Sequence, residues 1–308
     1  PSKYLNKIPG MNEICYKYNL YTRLIKMAME YPYYKRYIPD TFLIPDDDEK
    51  FRKLFKKGTT WIMKPGCGYG GKGIEIFQDQ ICEFPKKAVI QKYIAPYLIE
   101  GHKFDLRLHI LIASIRPLKV YICSEGIARF CSEKYKQPNS ENLHNKYQHL
   151  TNSSLNCKNT NGFKFIRPAS EILSYITNGK SKNLWNEIKK LSAFTIFALK
   201  DEIIKKIDDS CDGEEDIYND SCKPIDKYNR FFHLLGIDIL ISDEKKPYIL
   251  ELNDNPAMKN FNDKDEEIKR ETVKSEIKFI TSLLFSKDNI SQESKSGNYN
   301  WDELFKFE

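Results

Sequence analysis

The hydrophobic and polar positions of this chain follow two different periods, and each period predicts one kind of element. Apolar residues that recur every three or four positions predict helices at 18–30, 46–57, 183–207 and 263–285. Apolar residues that alternate with polar ones, or form short runs between turn residues, predict strands at 41–45, 61–64, 73–77, 89–94, 103–114 and 118–130. Because the strands occupy the middle of the chain and helices flank them, we predict an α+β fold.

A polar turn at 243–246 separates two further β-rich runs, which predicts an antiparallel hairpin over 236–253. If the turn is centred there, Asp238 lies directly across from Glu251, and Asn253 lies on the same face. The opposite face is then a continuous apolar surface formed by Ile237, Ile239, Ile241, Tyr248, Leu250 and Leu252. Leu240 and Ile249 share the polar face and indicate that it is partly covered.

Two carboxylates that face each other across a ladder repel, so this polar face calls for a positive partner. Carboxylate and amide oxygens are hard ligands that suit magnesium. We therefore predict a divalent cation held by Asp238, Glu251 and Asn253. A hairpin with a solvated acidic face is the alternative, and the pattern by itself favours neither.

A glycine-rich loop at 66–73 joins the predicted strands 61–64 and 73–77. Its spacing matches a dinucleotide-binding fingerprint, but a strand follows where that motif needs a helix. It also approaches a P-loop, but Gly73 stands where that motif has Ser or Thr. A flexible loop between strands, with Lys64 at the end of the first, suits phosphate binding by backbone N–H groups and one point charge. A mobile hairpin tip is the alternative.

The predicted strand at 103–114 begins with a polar face. Alternation places Lys103, Asp105 and Arg107 on one side, and Arg129 lies on the strand predicted to pair with it. Taken alone, this row favours a solvated face with cross-strand ion pairs. Together with the glycine loop and the acidic hairpin, it supplies what nucleotide-driven ligation requires: neutralised phosphates, a held magnesium ion and fixed cations near a developing anion.

Composition and charge narrow the class of protein without identifying a partner. The chain has 308 residues, of which 41% are hydrophobic and 13% aromatic, so it is long enough for one large domain or several lobes around a cleft. The net charge of +6 permits an acidic partner. No apolar run is long enough to span a membrane, and no nucleic-acid reader motif is present, so we expect neither a membrane nor a nucleic-acid partner.

The eight cysteines are scattered without CxxC spacing, and the histidines show no zinc-type spacing with them. The first residues also lack the apolar segment of a secretion signal, so we expect reduced thiols and a cytoplasmic protein. The chain begins at Pro1 rather than at methionine, which we interpret as the start of a fragment of a longer protein.

The motifs in this order resemble one family, the tubulin–tyrosine ligase-like enzymes, a branch of the ATP-grasp ligases. The matching stretches cover roughly residues 10–285 and are 61–65 with its glycine loop, 91–94, 103–107, 125–130, 149–152, 236–238 and 251–253. The resemblance implies an ATP-grasp fold, with antiparallel sheets flanked by helices and a nucleotide between two lobes. It divides the chain into a partial N-terminal lobe at 1–45, a central lobe at 46–100, a C-terminal lobe at 101–285 and a polar tail at 286–308.

The resemblance also implies roles for individual residues. ATP would be contacted by lysines, glycines and a hinge in the first half of the chain: Lys17, Lys64, Gly70, Gly71, Gln91, Lys92, Tyr93, Ile94, Lys103 and Asp105. The incoming amino acid would be bound by Arg129, Thr151, Asn152, Ser154 and Lys164. Arg107 and Arg129 would be catalytic and would stabilise oxyanions, while Mg²⁺ would be held by Asp238, Glu251 and Asn253. Asn255 stands where the family commonly has serine.

The reaction that the resemblance implies is ATP-dependent addition of an amino acid to acidic tubulin tails through an acyl phosphate. Glutamate is the favoured amino acid; glycine and tyrosine remain open, as does an inactive microtubule-binding member or a ligase with another acceptor. The expected cofactors are ATP and Mg²⁺, and the expected partners are tubulin tails and free glutamate. We expect a monomer associated with the cytoskeleton, with a cilium, flagellum or basal body as the narrower location.

Overall fold

Two antiparallel β-sheets form the centre of the protein in a computed structural model that describes residues 4–68, 70–159, 165–211, 228–285 and 299–306. The smaller sheet has the strand order β1-β4-β2-β3, with β1 at Thr41–Ile44, β2 at Trp61–Pro65, β3 at Glu75–Phe77 and β4 at Ala88–Lys92. The predicted α+β class is confirmed.

The larger sheet has seven strands, and its central path runs β10-β9-β6-β7-β11. Its long hairpin consists of β6 at His102–Ile115 and β7 at Leu118–Phe130. The short strands β5 (Leu98–Ile99) and β8 (Ile166–Pro168) pair with β6 and β7. The remaining strands are β9 at His233–Ile241, β10 at Pro247–Asn253 and β11 at Trp301–Lys306.

The described helices surround these sheets. They are α1 at Met11–Cys15, α2 at Lys17–Glu30, α3 at Asp48–Leu54, α4 at Lys146–His149, α5 at Ser153–Asn156, α6 at Ala169–Thr177, α7 at Lys182–Cys211 and α8 at Asp263–Phe285, with a 3₁₀ helix at Pro32–Tyr37. The long helix α7 buries an apolar stripe that includes Leu184, Ile188, Leu191, Leu199 and Ile203. That stripe packs into the same core as the inner face of the large sheet.

The small sheet has a core of its own, which is largely aromatic. Phe51 of α3 is fully buried and makes edge contacts with Phe42 and Trp61, whose ring centroids lie 5.2 and 5.1 Å away. The opposite face of the small sheet contributes Leu43 and Val89 to the larger core, so the two faces of this sheet pack into different clusters. The boundary drawn after residue 45 separates β1 from the sheet in which it pairs, and the division into lobes stays a prediction.

The predicted hairpin is present, and Glu251 does lie across from Asp238. The register prediction was wrong nearer the turn, because a β-bulge lies between Ile249 and Glu251. Ile249 therefore pairs with Ile239 on the core side and is fully buried, whereas Tyr248 pairs with Leu240. One extra residue in a strand shifts the register by one, so the side chains that follow it lie on the opposite face of the sheet from the one expected without it.

Several other elements differ from the sequence-based expectations. Helix α3 is shorter than the predicted 46–57, because Pro45 is followed by a turn before the helix begins. Helix α6 and the strands β8 and β11 were not predicted. Strand β11 lies in the segment expected to be a polar tail, and its Trp301 is buried against Phe279 of α8. Helix α6 buries Ala169, Ile172, Leu173 and Ile176 at helical spacing, so the sequence held a usable signal for it, whereas β8 and β11 are short strands placed by their pairing with β7.

Candidate active site

A cleft lies between the two sheets and is lined by residues of both. Most of the residues predicted from the sequence line it: Lys17, Lys64, Gly71, Gln91, Lys92, Tyr93, Ile94, Lys103, Asp105, Arg129, Thr151, Asn152, Asp238 and Glu251. The small sheet contributes Lys64 and the predicted hinge at 91–94, and the large sheet contributes most of the charged residues.

Four predicted residues lie beside the cleft rather than in its lining: Gly70, Ser154, Arg107 and Asn253. A side chain at Gly70 would approach Ser154 Oγ to 3.7 Å, so the glycine loop rests on α5. Arg107 and Asn253 are joined to the lining through Asp238 and Glu251. Lys164 lies outside the described residues. The assignment of these residues to particular ligands stays a prediction.

Helix α2 begins at the glycine loop and contacts it directly. Tyr18 N donates to Gly66 O at 3.2 Å, and Lys17 Nζ donates to Gly68 O at 3.1 Å. The same ammonium lies 3.0 Å from Glu251 of β10. Gly71 has φ +75°, and a Cβ there would lie 2.8 Å from Asn152 Oδ1. Only glycine fits this position without strain, so the loop can lie close to the residues after α4.

Two lysines enter the cleft with their ammonium groups nearly removed from water. Lys64 Nζ donates to Gln91 Oε1 at 2.7 Å and to Leu250 O at 3.4 Å. Burial, followed by the nearby charge of Lys17, lowers the pKa of Lys64 to about 7. Lys103 Nζ donates to Tyr93 Oη at 2.9 Å, and burial lowers its pKa to about 8. Both groups would regain a full positive charge beside an anion.

A buried network of charged side chains forms the floor of the cleft. Arg129 donates through Nε and Nη2 to both oxygens of Asp105, at 2.7 and 2.6 Å, and through Nη2 to Asp238 at 2.7 Å. Arg107 binds Asp238 from the other side through Nε and Nη2. Thr151 Oγ1 donates to Asp105 at 2.6 Å. The network therefore joins three adjacent strands of the large sheet through bidentate contacts.

Among the predicted cation-binding residues, Glu251 lines the cleft with its carboxylate, whereas both oxygens of Asp238 accept hydrogen bonds from Arg107 and Arg129 and Asn253 directs Nδ2 towards Glu251. Burial favours the neutral form of Asp238, but Arg107 and Arg129 outweigh it and hold the pKa of this carboxyl well below its usual range. Glu251 Oε1 lies 3.4 Å from Asn253 Nδ2, and the ammonium of Lys17 lies against the other carboxylate oxygen. The patch thus already attracts a positive group, as a site for a hard cation should. Within the described ranges, no cluster of three or more His, Cys, Asp or Glu side chains forms a metal site.

Some lining residues were missed by the sequence reasoning. The cleft has an apolar wall, which suits a flat ring. It is formed by Leu240 of the predicted polar face, by Ile62 and Ile74, and by Leu250, which was wrongly predicted on the opposite face because the bulge was not foreseen. Ile62 is two residues before Lys64 on β2, so period-two alternation was a usable signal for it. His149 also lines the cleft; its Nδ1 lies 3.1 Å from Tyr93 Oη, and burial lowers its pKa to about 4. It is therefore a neutral imidazole at pH 7.

Comparison with known proteins is consistent with this geometry. A sequence model described as the tubulin-tyrosine ligase family matches residues 1–290. The chain is 30% identical to a probable beta-tubulin polyglutamylase of Tetrahymena thermophila, over 96% of the chain and 25% of that protein. It is 33% identical to the mouse tubulin polyglutamylase TTLL11, over 84% of the chain and 37% of that protein. It is 31% identical to the mouse tubulin monoglutamylase TTLL4, over 95% of the chain and 25% of that protein.

The chain spans between 25% and 37% of the length of these relatives. Among solved structures, the C-terminal domain of K. lactis Pby1, an ATP-grasp enzyme, superposes with a TM-score of 0.63 at 17% identity. The match covers 100% of this chain and 82% of that one. The predicted ATP-grasp fold is confirmed. None of the described helices combines the length and apolar character of a membrane span.

Proposed function

The chain belongs to the tubulin-tyrosine ligase family, and from this premise we propose that it is an ATP-dependent ligase that adds an amino acid to acidic protein tails. The observation that carries the proposal is the charge arrangement of the cleft. Lys64 of the small sheet and Lys103 of the large sheet bring two buried amines into the same cleft as the carboxylates of Asp238 and Glu251. A polyphosphate with a divalent ion would satisfy both sets of charges.

ATP would bind with its base against the apolar wall and the strand end at 92–94, and with its phosphates under the glycine loop. Lys17, Lys64 and Lys103 would neutralise phosphate charge, and backbone N–H groups at Gly70 and Gly71 would close over it. Gln91 supports this role because its side chain holds Lys64 in the cleft and donates to Thr41 Oγ1 at 3.0 Å. The hinge at 91–94 therefore also orients the phosphate-binding lysine.

The reaction would proceed in two steps. A carboxylate oxygen of the acceptor attacks the γ-phosphorus of ATP, which forms an acyl phosphate and releases ADP. The amine of the free amino acid then attacks the acyl carbon and expels phosphate, with loss of a proton to solvent. Arg107, on the cleft side of β6, would stabilise charge on the transferred phosphoryl group, and Arg129 would hold the carboxylates that orient Arg107.

Asp238, Glu251 and Asn253 would hold Mg²⁺, with Lys17 moving from Glu251 to the phosphates. The ion would supply charge neutralisation at the phosphates. Thr151 and Asn152 line the cleft and Ser154 lies beside it next to Gly70; the incoming amino acid would bind there, and Lys164 is predicted to belong to the same pocket. Their position next to Gly71 would place the amine close to the transferred phosphate.

The names of the relatives support glutamate as the amino acid and tubulin tails as the acceptor. Free glutamate, acidic tubulin tails and ATP are therefore the proposed partners, and the protein is proposed to act as a monomer on the cytoskeleton. A tail rich in carboxylates also suits a chain with a net charge of +6.

Release of ADP in the presence of a tubulin tail peptide tests the proposal, with glutamate, glycine and tyrosine supplied in parallel. We expect turnover with glutamate and a loss of about a hundredfold in Glu251→Gln, because a metal ligand is neutralised. Glu244→Gln is the matched control: Glu244 lies at the turn of the same hairpin and pairs only with Lys246 at the surface.

Equal turnover of the Glu251→Gln and wild-type proteins would contradict the proposed site. Turnover with glycine or tyrosine instead of glutamate would change the substrate assignment and keep the reaction. Binding of Mg-ATP without ADP release under any of these conditions would favour an inactive microtubule-binding protein.

A further inference from the structure

The β-bulge in β10 decides which side chains of that strand reach the cleft. From Pro247 to Ile249 the strand pairs with β9 in one register, and from Glu251 onwards it pairs in another. If the first register continued, Leu250 would lie opposite Asp238, and Glu251 would take the core-facing position opposite Ile237. Glu251 points into the cleft only because Leu250 is the extra residue.

A bulge interrupts the hydrogen bonding of its ladder, so the carbonyl groups around it need other partners. Two side chains from outside the hairpin supply them. Tyr21 Oη donates to Ile249 O at 2.8 Å and has Leu250 O as a second acceptor at 3.2 Å. Lys64 Nζ lies 3.4 Å from Leu250 O.

Tyr21 is placed for this contact by α2. Its side chain is fully buried, and it lies one helical turn after Lys17, so both residues are on the same face of the helix. Lys17 contacts the glycine loop and Glu251, while Tyr21 contacts the two residues before Glu251. One face of α2 thus spans the loop and the strand that together form the phosphate end of the cleft.

We propose that Tyr21 is a positioning residue: its hydroxyl holds the bulge at Leu250 and thereby keeps Glu251 in the register that faces the cleft. Tyr21 itself does not touch the reacting atoms. The inference rests on the proposed function, because it assigns Tyr21 an effect on magnesium-dependent nucleotide binding. Its physical basis is that an unsatisfied buried carbonyl disfavours the bulged strand.

The test is the substitution Tyr21→Phe, which removes only the hydroxyl. Tyr37→Phe is the matched control, because Tyr37 is also fully buried but donates its hydroxyl to Glu187, away from the cleft. ATP affinity is measured with magnesium and with chelator, and the ratio of the two dissociation constants is the gain due to the metal. We expect Tyr21→Phe to reduce this gain about tenfold and Tyr37→Phe to leave it at the wild-type value.

A second readout requires no nucleotide. Amide hydrogen exchange of residues 249–253 should become faster in Tyr21→Phe and stay unchanged in Tyr37→Phe, because only the former loosens the bulge. Both variants should show similar decreases in melting temperature. A purely structural tyrosine would affect stability without this local difference.

A double-mutant cycle with Glu251→Gln separates positioning from independent action. If Tyr21 acts through Glu251, adding Tyr21→Phe to Glu251→Gln should cause no further loss of the magnesium-dependent gain. Additive losses, or equal behaviour of the two tyrosine variants, would overturn the inference and leave the proposed function standing. Absence of ATP binding by the wild-type protein would overturn both.

Discussion

Individual side chains in the cleft differ mainly in how they are kept from water. The ammonium groups of Lys64 and Lys103 enter the cleft from buried positions, so their charge depends on pH and on the ligand. Arg129 is equally buried but is paired with Asp105 and Asp238 through bidentate and shared hydrogen bonds. The lysines are therefore available to a phosphate, while Arg129 serves first to hold two carboxylates in place.

The two lysines predict a pH dependence of nucleotide affinity. Their ammonium forms, which phosphate needs, are present below pH 7 and are lost as the pH rises through about 7 and 8. We expect the ATP dissociation constant to rise about tenfold between pH 6.5 and 9. This is the change expected if bound ATP raises the pKa of these lysines by about one unit in total, because one pKa unit corresponds to about 1.4 kcal/mol. Calorimetric titration of the wild type and of Lys64→Gln measures this, and the variant should show a flatter profile.

The same pKa values predict the opposite pH dependence for the folding stability of the unliganded protein. Because the folded pKa values lie below that of an unfolded lysine, the unfolded chain binds more protons above pH 7, and these groups make stability increase with pH. Thermal unfolding between pH 7 and 8.5, with and without ATP, checks both signs. A parallel rise of both curves would contradict the placement of the lysines at the phosphates.

Arg129 provides a second prediction at this scale. Arg129→Met leaves Asp105 buried without its main partner, and we expect the free energy of unfolding to fall by about 3 kcal/mol. Arg167→Met is the control, because Arg167 makes a bidentate contact with the exposed Glu100, and its loss should cost less than about 1 kcal/mol. Urea unfolding measures both. Equal losses would show that burial does not strengthen the Arg129 contacts.

At the scale of elements, the site depends on one hairpin, one glycine loop and one helix. Alternation and turn chemistry are local properties, so the hairpin was predictable from the sequence, whereas the pairing of Asp238 with Glu251 depends on its bulge. The bulge was not predictable, because its carbonyls are satisfied by Tyr21 and Lys64, which come from elements far away in the chain. The glycine loop was also predictable, since five glycines at 66–73 are too costly to order inside a helix or strand and therefore mark a loop.

The glycine loop gives a prediction for the element as a whole. Gly71→Ala introduces a Cβ 2.8 Å from Asn152 Oδ1, so either the Asn152 carboxamide or the loop must shift from its position beside the cleft. We expect ATP affinity to fall about tenfold, together with a stability loss of about 1 kcal/mol from the left-handed backbone. Gly58→Ala is the control, since Gly58 has φ +83° and no atom within 4 Å of the added Cβ. It should lose stability but not ATP affinity, as measured by thermal unfolding and titration.

For the whole molecule, the main feature is a cleft whose two walls belong to different sheets. A ligand bound there touches both walls, so its binding energy opposes separation of the lobes as well as unfolding. The family and fold were predictable because the motifs occur in a specific order along most of the chain. The narrower substrate remains a proposal, because the relatives are much longer than this chain.

Saturating Mg-ATP should therefore stabilise the whole molecule. At a hundred times its dissociation constant a ligand adds about 2.7 kcal/mol, which for a chain of this size corresponds to roughly 5 °C in melting temperature. Amide exchange should slow at 66–68, 70–73, 92–94 and 249–253, and stay unchanged in α7. Protection confined to one sheet would contradict binding between the two.

The sequence by itself determined the hairpin, the glycine loop, the long helices and the types of charged residue available to the site. These features follow from interactions between residues close in the chain, and alternation and turn propensity are enough to predict them. Tertiary structure alone decided that Arg107 and Arg129 share Asp238, that Lys17 lies against Glu251 and that Tyr21 satisfies the bulge. Those contacts join residues between 109 and 234 positions apart, and they depend on exclusion of water from the cleft, which no local pattern contains.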